Sequence, residues 1–191
     1  ADEEVQEVAE STRRALPRLK ITDVRAIPMT VGRNHLTVVK VLTDEPGLYG
    51  VGCGTHSERQ ALVVQTIEQY LKPAVVGRYA DDINDIWEMA WTAPYWRASV
   101  DASNAMSAID GALWDIMGKR ADVPVYQLLG GKCREAAAVY AHANGRDPQE
   151  VTENVRQFMA QGYRFVRVQM GGYGGKGAKM DKPDGAPDGA Y

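Results

Sequence analysis

Between positions 105 and 130 the apolar residues Ala105, Ile109, Ala112 and Ile116 recur at spacings of three and four. That period predicts a helix with one apolar stripe. A second face carries Asn104, Ser107, Gly111, Asp115 and Gly118, all small or short. Such a face lets a neighbouring backbone come close, so this helix is expected to be buried on more than one side. Asp115 and Lys119 stand four apart and can pair. Asp122 and Pro124 break the helix, and the stretch 125–129 runs into Gly130-Gly131.

Upstream the period changes to that of strands. Residues 21–29, 36–43 and 48–53 read as three strands, with Asp44-Glu45-Pro46-Gly47 as a turn. Together they predict an antiparallel meander. Residues 30–35 read as a loop between the first two strands. Ser57 and Gln60 match a capping box, opening a helix with Val64, Ile67 and Leu71 on one face and stopping before Pro73. Residues 81–91 form a second amphipathic helix, and the four Trp read as core. A sheet followed by helices is α+β organisation.

After Gly131 the pattern changes again. Residues 136–142 read as a short strand and Asn144-Gly145 as a turn. Asp147 is a good N-cap with Pro148 at the first helical position. The helix shows Val151, Val155 and Phe158 and ends near Gly162, and residues 163–170 form the next strand. Strand, helix, strand in this order predicts a βαβ unit with parallel strands. In the second strand, alternation puts Phe165, Arg167 and Gln169 on one side and Val166 and Val168 on the other. From pattern alone, a surface Arg167 and a satisfied core His142 remain open readings beside a functional one. Residues 171–191 hold seven Gly and two Pro and read as a flexible loop or lid. The run GGYGGKGAK fails the phosphate-loop pattern, because no Ser or Thr follows Lys176.

Composition narrows the function. The 191 residues are 45% hydrophobic and 25% charged, an ordinary globular balance. Net charge is −3 with no basic block, which argues against nucleic acid or an anionic membrane as partner. No apolar run approaches the roughly 18 residues of a membrane span. Cys53 and Cys133 match no metal or redox spacing and fit a reducing, cytoplasmic compartment. Asp181, Asp184 and Asp188 lack the ligand order of a calcium loop, so no metal site is expected from these residues alone.

The run Ala105, Ser107, Ala108, Ile109, Asp110, Ala112, Leu113, Asp115, Ile116, Gly118, Lys119, then Pro124, Val125, Leu128, Leu129, Gly130 resembles the mandelate racemase/muconate lactonising branch of the enolase superfamily. The words GRN at 32–34, YWR at 95–97, VYAHANG at 139–145 and RVQ at 167–169 resemble its mannonate dehydratase (starvation-sensing protein) subgroup. This resemblance covers roughly 20–169. It implies an α+β capping domain, a three-stranded antiparallel meander plus helices, followed by the start of a (β/α) TIM-type barrel. The expected divisions are an N-terminal extension (1–19), a capping domain (20–135) and the first two barrel strands (136–191), truncated in a Gly-rich loop. A barrel alone takes about 250 residues, so only an N-terminal part is expected here.

The resemblance also implies a lyase chemistry, dehydration of a mannonate-like aldonic acid to a 2-keto-3-deoxy acid. A base removes the proton next to the carboxylate, and an acid helps the β-hydroxyl leave. That proton is barely acidic, so positive charge must be concentrated at the carboxylate, usually by Mg²⁺ with ligands expected beyond Tyr191. Arg167 is implied as catalytic, with His142 and Asn34 as substrate-binding residues. In the subgroup the base is a Tyr twelve residues after the Arg, held as its anion by that Arg. Here that position is Lys179. Tyr173 and Tyr191, six and twenty-four residues after Arg167, are alternatives, with Tyr173 taken as catalytic; Lys179 or Lys176 as base also stays open. The implied partners are a small-molecule sugar acid and further copies of the chain in a homo-oligomer. A non-catalytic ligand-binding or regulatory member is the alternative.

Overall fold

The computed structural model describes residues 17–32, 34–93 and 99–170. The chain divides into two compact units, Ala1–Lys132 and Cys133–Tyr191.

The first unit opens with a three-stranded antiparallel sheet in the order β1 (Ile21–Val31), β2 (Asn34–Thr43), β3 (Tyr49–Cys53). Alternation explains its two faces. Val24, Val39 and Val41 are fully buried on one side, while Ile27, Met29 and Val51 on the other stay exposed. The loop expected at 30–35 is shorter than its sequence suggested. Val31 pairs with Asn34, so the strands run to the tip of the hairpin and Asn34 opens β2. Gly32, at φ 62°, supplies the left-handed backbone that so tight a connection needs.

The helical layer follows. A turn of 3₁₀ helix at Ser57–Arg59 leads into α1 (Gln60–Thr66), a π-turn at Ile67–Leu71 and α2 (Lys72–Val75). The Gln60 side chain is not engaged at the helix start as the capping pattern suggested. His56 occupies the N-cap position without a side-chain bond, and the Gln60 amide instead donates to the carbonyls of Leu36 (2.6 Å) and Met29 (3.2 Å). Nor does the helix stop before Pro73. Pro73 falls in the first turn of α2, where a missing N–H costs little. Next comes α3 (Ile83–Thr92). Trp87 is 38% exposed, against the expectation of a core residue; Trp91 and Trp114 pack partly buried against the core. Trp96 lies outside the described residues.

The central helix, α4 (Val100–Ala121), is capped by Ser99, whose hydroxyl accepts from the Ala102 N–H. It ends on Asp122 at φ 54°, and a short helix α5 (Val125–Leu128) follows Pro124. The buried surface of α4 runs from the stripe of Met106, Ile109, Leu113 and Ile116 round to Ala105, Ala108 and Ala112. Of the small-residue face only Gly118 is buried, and Ser107 is exposed. The close approach, however, is made by its alanines. A methyl group at Gly50 or Gly52 of β3 would overlap the carbonyl oxygens of Ala112 and Ala108. Backbone therefore lies against backbone at this crossing, and only Gly on the strand permits it.

Both edges of the sheet borrow hydrogen bonds from helices. The Val51 N–H on β3 donates to the Asp115 carboxylate (2.8 Å), and Lys119 donates to both Asp115 (2.6 Å) and the Tyr49 carbonyl (2.8 Å). On β1 the Ala26 N–H donates to Glu68 (2.8 Å). An edge strand with such partners no longer offers those groups to another chain.

Candidate functional site

The second unit contains β4 (Tyr140–Gly145), α6 (Pro148–Ala160) and β5 (Phe165–Met170). The strands are parallel, with Tyr140 opposite Phe165, His142 opposite Arg167 and Asn144 opposite Gln169. Strand β4 starts later than expected and runs through Asn144-Gly145, which the sequence suggested was a turn. It begins where its partner begins, because Phe165 is the first residue of β5. His142 and Arg167 are therefore the third residues of six-residue strands, one layer below the end, rather than at the strand tips.

Period two separates two faces. Ala141 and Ala143 are buried on the side of Val151 and α6, and Val168 shares a groove with Val151 and Val155. Tyr140, His142 and Asn144 share the opposite face with Phe165, Arg167 and Gln169. The Tyr140 and His142 rings are stacked, with centroids 5.0 Å apart and planes 23° from parallel. That contact limits how the imidazole can turn.

The turn after β4 is held tightly. Asp147 accepts hydrogen bonds from the Gln149 and Glu150 N–H groups (3.0 and 2.9 Å), as the capping pattern predicted. Asn154 of α6 donates to the Asn144 carbonyl (2.6 Å). A methyl group at Gly145 would press into Val151 at 2.7 Å, so this glycine is needed for the strand to meet the helix. The Arg146 N–H and guanidinium both donate to Glu150 (3.0 and 2.9 Å). Those two bonds hold the Glu150 carboxyl below the usual range.

The expected site residues thus fall in three places. His142 and Arg167 are brought together as ladder partners. Asn34 is exposed at the hairpin tip of the first unit. Tyr173 lies outside the described residues, as do Lys176, Lys179, Tyr191 and the three late Asp. Among the described residues, no group of three or more His, Cys, Asp or Glu is placed to hold a metal ion. No helix among them is long and apolar enough to cross a membrane. The sequence reading missed Asn144 as part of the polar face. The signal was there, since Asn144 follows His142 by two, as Gln169 follows Arg167.

A meander covered by helices, with a βαβ unit downstream, is the arrangement of a capping domain leading into a β/α barrel. Residues 10–130 match the N-terminal domain of mandelate racemase / muconate lactonizing enzyme, and the chain belongs to that family, a branch of the enolase superfamily. It is 48% identical over 162 residues to a D-galactonate dehydratase family member of Musicola paradisiaca, covering 85% of this chain and 39% of that protein. Identity and coverage are the same for the D-galactonate dehydratase family member RspA of Pantoea ananatis. The chain therefore spans about two fifths of the length of these curated relatives. Among solved structures, an enolase from Pantoea ananatis with bound D-gluconate and Mg superposes with a TM-score of 0.76 at 47% identity, covering 80% of this chain and 37% of that one. A member of the enolase superfamily from Salmonella Typhimurium gives 0.71 at 29% identity, covering 79% and 42%.

Proposed function

We propose that this chain is the N-terminal portion of a Mg²⁺-dependent sugar-acid dehydratase, a hydro-lyase acting on an aldonic acid. The observation that carries this reading is the register of His142 and Arg167 on one face of two adjacent parallel strands. It is supported by relatives named as D-galactonate dehydratase family members and by the Pantoea structure with D-gluconate and Mg.

A guanidinium stays charged across the working pH range and attracts the substrate carboxylate. The neighbouring imidazole, steadied by Tyr140, hydrogen-bonds a substrate hydroxyl. Mannonate is one substrate of the proposed class. Asn34 as a substrate contact and Tyr173 as base rest on sequence resemblance. The face around His142 and Arg167 offers a ring nitrogen, a guanidinium, two carboxamides and a phenol, but no carboxylate. It does not suit Mg²⁺, which prefers oxygen ligands that include carboxylates. We assign the metal's ligands to barrel strands that the relatives carry beyond the matched stretch. We also propose assembly as a homo-oligomer.

The test is turnover of a panel of aldonic acids by the chain completed with those barrel strands. A 2-keto-3-deoxy acid should form from at least one acid when Mg²⁺ is present and cease with a chelator. No product from any acid would overturn the proposal. A second reading, a ligand-binding protein that keeps the fold, is favoured by Lys179 where the subgroup carries Tyr. Arg167→Ala separates the two. It abolishes turnover under the first reading and has none to abolish under the second.

A further inference from the structure

Two residues stand one layer nearer the strand ends than His142 and Arg167. Asn144 and Gln169 face each other across the ladder, on the same side of the sheet. Their Cα atoms are about 5 Å apart, as in any parallel pair. Asn144 is exposed and Gln169 half-buried. Among the described residues neither carboxamide has a hydrogen-bond partner, although the backbone beneath Asn144 is fixed by Asn154 and by the fit of Gly145 against Val151. The scaffold is thus pinned while the two polar ends are left open.

We propose that Asn144 and Gln169 are specificity-determining residues that read the hydroxyls of the polyol chain. This rests on the dehydratase reading above. A carboxamide both donates and accepts, as a hydroxyl does, so two of them in register can follow two successive carbons of a polyol. A cation or a carboxylate would make only half of those bonds. The layer below takes the carboxylate end, and the layer above meets carbons farther along the chain. Arg167 and His142 then serve every aldonic acid alike, while the carboxamides distinguish epimers. A site that hydrogen-bonds a hydroxyl penalises a ligand that presents it wrongly, because carboxamides that the bound ligand screens from water are left unpaired.

The test compares D-gluconate with D-galactonate, epimers at the fourth carbon, in the chain completed with its barrel. Asn144→Leu and Gln169→Met keep shape and remove the hydrogen bonds. Each is expected to cut the ratio of kcat/KM between the epimers about tenfold, through KM, with kcat held within about threefold. As a check that does not need turnover, the side-chain NH₂ resonances of both residues should shift on adding D-gluconate. An active parent whose variants keep the ratio, or lose kcat instead, overturns this inference alone, as do NH₂ resonances that stay still on adding D-gluconate. A parent inactive on every acid overturns the dehydratase reading and takes this inference with it.

Discussion

The two units solve the burial problem in opposite ways. In the first, backbone and side chains close on themselves. The sheet lies against α4 at a glycine–alanine crossing, and its edges take partners from Asp115, Lys119 and Glu68. In the second, α6 covers only part of one face. Val168 is 59% exposed on that side, and His142, Asn144, Arg167 and Gln169 share the other. The first unit supplies partners for its own sheet edges, whereas the second leaves apolar side chains such as Phe165 and Met170 exposed.

The sharpest way to break that contrast is at the crossing. Gly52→Val places a branched side chain against the Ala108 carbonyl, which cannot yield without moving α4. The expected loss is roughly 3–5 kcal/mol in urea denaturation of the chain. A loss under about 1 kcal/mol would mean the crossing is looser than described. The next comparison applies one substitution to both units. Val39→Thr buries a hydroxyl at a site with no exposure and should cost about 2 kcal/mol, whereas Val168→Thr should stay within about 0.5 kcal/mol. Equal costs would remove the distinction between a closed and an open unit. At the sheet edge, Asp115→Ala loses an acceptor for Val51 and the partner of Lys119, for about 1–2 kcal/mol. Asp115→Asn, which keeps an acceptor, should recover most of it.

The smallest effects are electrostatic and opposite in sign. Lys72 and Arg25 beside Asp23 hold its carboxyl below the ordinary value of 3.8. The stability from that pairing is full above pH 3.8 and is lost as pH falls through the lowered pKa. Burial pushes Asp110 above 3.8, in a crevice beside Ile86, Trp87 and Leu113. There the folded state prefers the acid form, so stability falls as pH rises from 3.8 through the raised pKa. Asp23→Asn should therefore weaken the chain at neutral pH, and Asp110→Asn strengthen it. Both differences should vanish well below pH 3.8. Thermal melts across pH 2.5–7 check both signs.

Local patterns made much of this legible. The three-stranded meander follows from alternation, and the Asp147-Pro148 start of α6 follows from capping chemistry. Parallel pairing follows from the βαβ order, but the register of His142 with Arg167 does not, because the sequence suggests a first strand ending at His142 and the strand instead runs on to Gly145. What misled were residues whose partners lie far along the chain. Gln60 looks like half of a capping box until the hairpin carbonyls of Met29 and Leu36 are beside it. Asn144-Gly145 looks like a turn because its strand partners, Gln169 and Met170, come twenty-five residues later. Trp87 looks like core because bulk alone says nothing of which way a helix faces. Tyr173, outside the described residues, keeps its assignment as a proposal.

The central claim is that a guanidinium and an imidazole on neighbouring strands act on one ligand as a unit. A double-mutant cycle of Arg167→Ala and His142→Asn tests it most directly, read as kcat/KM for one turned-over aldonic acid in the completed barrel. Each single change should cost about a hundredfold or more, and the double change far less than the product of the two. Losses that simply multiply, or a single variant with parental activity, would contradict the account.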